Sequence, residues 1–182
     1  MGVKVIRRGD MYGIVASERM VAGDVVVHIE GERTLVATRY SVQVGPDEHI
    51  EPPAGAPLDG PYAWRFMNHH CDPNSAIRGL DVVALRTIEE GEEITYDYAT
   101  TEAEMAEPFL CQCGSPKCRG QIRGFLHLST EEQATLRPRL ADHLVAGIGR
   151  TFGTSLNRQR SVGRKLLLLT SRPVLDGPRD KR

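Results

Sequence analysis

The sequence predicts a mainly β body of short strands and short loops, followed by a short C-terminal helical segment. Three observations carry this: runs of β-branched and aromatic residues over the first hundred positions, Gly and Pro punctuation between them, and one capped four-residue apolar repeat after position 129. At 182 residues the chain has room for one domain of ordinary size and a tail. Its 40% hydrophobic and 26% charged residues are the balance of a chain that buries a core.

Taken in order, Val25–Ile29, Thr34–Ala37, Tyr40–Val44, Val82–Leu85 and Ile94–Tyr98 read as strands. Gly9, Gly13, Gly23, Gly31, Gly45-Pro46, Gly79 and Gly91 punctuate them. The stretch EPPAGAPLDGP over Glu51–Pro61 holds four prolines and two glycines, so it is a loop that delivers the chain to Tyr62–Ser75. Ser129 with Glu132 three residues on makes a capping box, and Leu136, Leu140, Leu144 and Ile148 recur at helical spacing. Pro138 falls inside that repeat and is expected to divide it into two short pieces. From about residue 150 the composition turns Gly-, Ser- and Arg-rich, with one apolar cluster at Leu166–Leu169, and reads as a flexible basic extension. The divisions are a β body over 1–100, a cysteine-bearing segment over 101–124, a helical extension over 125–149 and a basic tail over 150–182.

The net charge of −1 hides an asymmetry. Residues 147–182 carry nine Lys or Arg against two Asp, a net +7, so the remainder carries −8. An acidic body does not suit a nucleic-acid-binding face, and contact with nucleic acid is expected only through the tail. It suits a cationic polypeptide partner, although a plainly solvated acidic surface accounts for the same excess. No run approaches the roughly 20 apolar residues of a membrane span, so no membrane partner is expected. Met1–Arg8 lacks the apolar core and cleavage site of a secretory leader; the expectation is an intracellular protein, cytoplasmic by default, with nuclear or nucleoid association left open. Composition is silent on oligomeric state.

The four cysteines then read as metal ligands rather than disulfides. Cys111, Cys113 and Cys118 form a C-x-C-x4-C run whose Gly114 and Pro116 let the backbone fold round an ion; Cys71 lies within His69-His70-Cys71-Asp72-Pro73-Asn74. Four thiolates fill a tetrahedral Zn2+ site and leave no open position, which makes the site structural. Two readings remain beside it: His69 or His70 replacing one thiol, and Cys71 as a small buried hydrophobe.

The segment Arg65-Phe66-Met67-Asn68-His69-His70-Cys71-Asp72-Pro73-Asn74, then Gly91-Glu92-Glu93-Ile94-Thr95-Tyr96-Asp97-Tyr98, then the cysteine run, resembles the SET domain of protein lysine methyltransferases with its post-SET zinc motif. The likeness extends from about Val3 to Gly120, with three motifs in family order, and Ile29-Glu30-Gly31-Glu32 resembles a further early element. It implies a SET-domain fold of small sheets in which the Asn-His segment is threaded by the Tyr-bearing segment as a pseudoknot, an exception to the rule against threading. It also implies an S-adenosylmethionine (SAM) site on one side and a lysine channel on the other. By position, Asn68 and His69 meet the cofactor, Arg65 and Phe66 form nearby wall, Met11-Tyr12-Gly13 is the early glycine turn, and Gln112 lies near the adenine. Met11 stands where the family usually has Gly, His70 where Ser is usual, and Gln112 where an apolar residue is common.

Methyl transfer to an amine is an in-line displacement that needs the neutral amine, and freeing a lysine lone pair at pH 7 costs about 4.6 kcal/mol. Burial in an apolar channel lowers a lysine pKa by roughly 3 to 5 units, so the channel supplies most of this without a dedicated base. The resemblance makes Tyr98 the catalytic hydroxyl, holding the in-line geometry, and Tyr96 its neighbour on one strand face, leaving less room for added methyl groups. Without the flanking motifs, both are half-buried strand aromatics. Asp97 is expected to face away from the rings, Glu92 and Glu93 to be solvated, and Tyr12 and Tyr62 to pack. The implied activity is SAM-dependent N-methylation of a lysine in a basic, histone-like or other protein; the alternative is a catalytically silent SET-fold module that grips a partner through its basic tail.

Overall fold

A computed structural model describes residues 2–147. The basic tail and Ile148 lie outside the described residues. Strands β1 (Val3–Arg8) and β2 (Met11–Ala16) form an antiparallel hairpin in register from Val3 opposite Ala16 to Arg8 opposite Met11. The chain reverses at Gly9, whose φ of 62° suits a residue without Cβ. Neither strand stands out in the sequence: Lys and Arg dilute the apolar signal of β1, and β2 buries Gly13 to Ala16 in succession, which removes the alternation.

Strand β3 (Val25–His28) leads to β4 (Glu32–Thr34), β5 (Val42–Gln43) and β6 (His49–Glu51), which make a small antiparallel sheet in the order β4-β6-β5. A 3-10 turn at Ala63–Phe66 precedes β7 (Asn68–His69), then come β8 (Ser75–Arg78) and β9 (Asp81–Ala84), and the second sheet runs β3-β9-β8. Strand β10 (Thr95–Tyr96) pairs in parallel with β7, Thr95 opposite Asn68 and Tyr96 opposite His69. The cysteine segment is framed by β11 (Phe109–Leu110) and β12 (Gln121–Ile122), an antiparallel pair. The expected architecture of small sheets with little helix is the one found.

Several expected strands are shorter. Instead of Thr34–Ala37, the strand ends at Thr34, whose hydroxyl accepts from Val36 N at 3.1 Å and turns the chain, leaving Leu35 80% exposed. Tyr40–Val44 contracts to β5 because Thr38 and Ser41 close a turn before it, Thr38 N to Ser41 Oγ at 2.9 Å. Ile94–Tyr98 contracts to β10 because Asp97 caps a 3-10 turn at Tyr98–Thr100, its carboxylate accepting from Ala99 N at 3.2 Å. Tyr96 and Tyr98 therefore do not share a strand. Val25–Ile29 and Val82–Leu85 shift by a residue at their ends, and Glu51 belongs to β6 rather than to the loop that follows.

The capping box is present: Ser129 and Glu132 exchange hydrogen bonds at the start of α1 (Thr130–Leu136). Pro138 lies in a 3-10 turn at Arg137–Arg139, and residues 142–147 are helical again, so the repeat is divided as expected while Leu136, Leu140 and Leu144 stay buried. The core gathers Ile14, Ile29, Val82, Ile88 and Ile94 with Trp64, whose indole N–H donates to Glu30 O at 3.1 Å. Each such side chain contributes roughly 1.5–3 kcal/mol by burial. Among the described residues no helix is long and apolar enough to cross a membrane.

Candidate functional site

The parallel pairing of β7 with β10 brings the Asn68-His69 segment against the tyrosine segment from across the chain. Asn68 is fastened from both sides, its Nδ2 donating to Tyr12 O at 3.0 Å and to Glu93 Oε1 at 2.8 Å. Asn74 repeats the device: its Nδ2 donates to Glu93 O at 2.8 Å and its Oδ1 accepts from Thr95 N at 2.9 Å. Gly13 passes directly beneath, where a Cβ would lie 2.9 Å from Glu93 Oε1 and 3.1 Å from Asn68 Nδ2. Its role here is to admit that close approach, and it is not part of the cavity wall. Glu92 and Glu93, expected to be solvated, are partly buried tethers of these asparagines.

A cavity of about 620 Å3 opens over this floor, large enough for a cofactor and part of a substrate. Met11, Tyr12, Arg65, Phe66, Asn68, His69, Tyr96, Tyr98 and Gln112 all border it. Met11 borders it while remaining 53% exposed. Tyr12 packs on Phe66 with ring centroids 4.9 Å apart, and the Arg65 guanidinium lies 4.5 Å over the other ring partner, Phe66, while donating to Ala56 O and Pro57 O. Arg65 Nη1 is buried without a partner, a donor left over for a bound acceptor.

Tyr96 is 5% exposed and Tyr98 half-buried, with ring centroids 4.8 Å apart. The Tyr98 hydroxyl donates to Met67 O at 2.7 Å, so the lone pairs of the phenolic oxygen remain as acceptors. Burial raises the pKa of both phenols above its ordinary value, for Tyr98 against the nearby Arg39 cation, so both stay protonated at neutral pH.

The four cysteines converge as the sequence required. The sulfurs of Cys71, Cys111, Cys113 and Cys118 all lie within 4.8 Å of one another, with Cys71 and Cys111 3.9 Å apart. Tetrahedral zinc with Zn–S of about 2.3 Å calls for sulfurs about 3.8 Å apart, so the donor set and its spacing fit that ion. The two histidines are engaged elsewhere. His70 Nδ1 lies 2.7 Å from Asp72 O, and His69 accepts from Tyr98 N through Nδ1 at 3.2 Å, which places the ring proton on Nε2, 3.2 Å from Cys71 Sγ. Burial, against the pull of Asp97, takes the His69 pKa down to about 4, so the ring is neutral. The buried carboxylate of Asp97 meets both terminal guanidinium nitrogens of Arg119, one at 2.7 Å. Lys117 joins Asp72 at 3.0 Å.

Tyr40, Phe109, Arg39 and Glu102 are among the wall residues that escaped the sequence reading. Tyr40 meets Phe66 edge-on at 6.0 Å, and Phe109 lies 6.0 Å from Tyr98 and 5.8 Å from His69. Of these, only Phe109, an aromatic two residues before the cysteine run, carried a signal that could have been used.

Comparison with known proteins agrees with this geometry. The SET domain family matches residues 11–99. Histone-lysine N-methyltransferase ash1 of Drosophila melanogaster is 44% identical over 68 residues, covering 33% of this chain and 3% of its own length. Histone-lysine N-methyltransferase set1 of Dictyostelium discoideum is 33% identical over 131 residues, covering 59% of this chain and 8% of its own. The H3 lysine-9 specific enzyme dim-5 of Neurospora crassa is 35% identical over 96 residues, covering 38% and 29%. The chain thus spans only 3% to 29% of the length of these curated relatives. A solved structure, KRYPTONITE in complex with mCHG DNA and SAH, shares the fold at a TM-score of 0.51 and 24% identity, over 65% of this chain and 28% of that one.

Proposed function

We propose, from the match of residues 11–99 to the SET domain family, that the chain is an S-adenosylmethionine-dependent protein-lysine N-methyltransferase acting on a basic, histone-like protein. The observation that carries this reading is the Tyr98 hydroxyl at the cavity, its proton engaged by Met67 O and its lone pairs left to accept. The similarity to proteins named histone-lysine N-methyltransferases supports the reaction class.

When bound, the cofactor supplies an electron-poor methyl carbon. Tyr98 orients the lysine amine by accepting one of its N–H bonds, and Tyr96 crowds the same end of the cavity. Neither phenol serves as a base at neutral pH, since both keep their protons. The unpartnered Arg65 Nη1 suits an anionic or carbonyl group of the cofactor, and Asn68 with His69 provides backbone along it. We assign Cys71, Cys111, Cys113 and Cys118 to a structural zinc that ties the Asn-His segment to the β11–β12 pair, leaving His69 to bridge this centre to the backbone of Tyr98.

The test uses labelled SAM with a mixed core-histone preparation. Tyr98→Phe is expected to lower kcat about 10²- to 10³-fold while retaining SAM affinity by calorimetry. Equal labelling by both proteins would remove Tyr98 from the mechanism, and no labelling by the wild type would remove the activity. A wild type that binds no SAM by calorimetry at millimolar concentration would favour the alternative, a catalytically silent module that grips a partner through its basic tail.

A further inference from the structure

Two buried carboxylates lie close to the tyrosine pair, and they differ in how their charge is answered. Asp97 has the full fork of Arg119. Glu102, with its side chain 8% exposed, has no comparable partner. Its Oε1 accepts from Gln43 N at 2.9 Å and from the Thr101 hydroxyl at 3.3 Å. Its Oε2 has only His49 Nε2 at 3.7 Å, outside hydrogen-bonding distance, and His49 is itself buried with Nδ1 unpartnered. Glu102 nonetheless borders the 620 Å3 cavity. His49 from β6, Tyr96 from β10 and Tyr98 from the following turn are the titratable groups that face it, and both phenols feel its charge; Arg39 borders the same cavity beside Tyr98. A buried carboxylate with an open acceptor oxygen is costly unless a cation fills the gap.

We propose that Glu102 receives the ammonium group of the substrate lysine in this cavity and takes its proton, delivering the neutral amine to Tyr98. This rests on the methyltransferase reading and adds a named proton acceptor to it. The step is balanced: one N–H bond of the ammonium breaks, one O–H bond forms on Oε2, and a cation and an anion become a neutral amine and a neutral carboxylic acid. The proton returns to bulk water when product leaves. In water the transfer is uphill by about six pKa units, from roughly 10.4 to roughly 4.3. A water-poor cavity penalises the separated ion pair relative to the neutral amine and the neutral acid, which offsets part of that cost.

The experiment measures kcat/KM from pH 6 to 10 on core histones with labelled SAM, for the full chain and for Glu102→Gln, a variant that keeps an acceptor for Gln43 N. The wild type is expected to be nearly flat between pH 7 and 9, because it captures the abundant ammonium form. The variant is expected to lose about 10³-fold at pH 7 and to rise about tenfold per pH unit, converging on the wild type near pH 10. A variant of wild-type melting temperature with the wild-type level and profile would overturn the proposal. So would a wild-type rate that itself climbs tenfold per unit, and this measurement decides the matter if the variant does not fold. A wild type that labels nothing at any pH would instead overturn the methyltransferase reading, and this one with it.

Discussion

Replacing Arg119 by Met removes the cation paired with a carboxylate that has no exposed surface. The Asp97 side chain is 0% exposed and that of Arg119 12%, so solvent screens this pair little. Leaving one member of such a pair costs about 3–5 kcal/mol, against about 0–1 kcal/mol for a solvent-exposed pair. For a domain of this size that loss lowers Tm by roughly 6–20 °C. The pair joins the turn carrying Tyr98 to the residue that follows Cys118, so its loss is expected to loosen both. The double variant Arg119→Met with Asp97→Asn removes the buried charge, keeps an oxygen to accept from Ala99 N, and discards Arg119 Nε, which is buried without a partner. It is expected to recover to within about 1 kcal/mol of the wild type. Urea unfolding at constant saturating zinc, followed by the fluorescence of the single Trp64, measures each corner of the cycle. A single variant that loses less than about 1 kcal/mol, or a double variant no better than the single, would refute the argument.

Metal analysis of protein purified without chelator should find one zinc per chain, and Cys71→Ser or chelation should expose the β11–β12 segment to proteolysis, since structural zinc sites contribute on the order of 10–16 kcal/mol in small peptides. Gly13→Ala should drive Glu93 Oε1 off Asn68 Nδ2 and lower stability by about 1–3 kcal/mol by thermal melting; an unchanged melt would mean the strand shifts freely there. Glu92 has its carboxyl pKa held below the ordinary value, because the bonds from Arg86, Asn74 and the Glu89 amide outweigh burial. Its stabilising contribution is therefore complete above about pH 4.5 and lost as pH falls through the lower folded pKa, so Glu92→Gln should flatten the fall of Tm between pH 5 and 3.

How much of this was legible in the chain depends on how local the cause is. Cys111, Cys113 and Cys118 share one eight-residue stretch, Ser129 and Glu132 satisfy each other across one helical turn, and the loop that follows Glu51 comes from prolines that cannot donate. Such requirements are written into neighbouring residues, and they were readable. The end of β10 at Tyr96 was not, because β-branched and aromatic residues continue the strand pattern while the decisive event is a carboxylate bonding to Ala99 N. Glu102 was invisible for a related reason: a lone Glu in a loop looks solvated until Gln43, fifty-nine positions earlier, is folded against it.

Chain order therefore specified the ingredients: the thiol set and the mainly β architecture through spacing and periodicity, and the two tyrosines and the Asn-His segment through the resemblance to the SET domain. Three-dimensional pairing alone decided where the Tyr98 proton goes, which carboxylate is neutralised by Arg119 and which is left facing the cavity. Those outcomes depend on hydrogen-bond partners and desolvation supplied by segments dozens of residues away, and no local pattern encodes a partner that only folding brings within 3 Å.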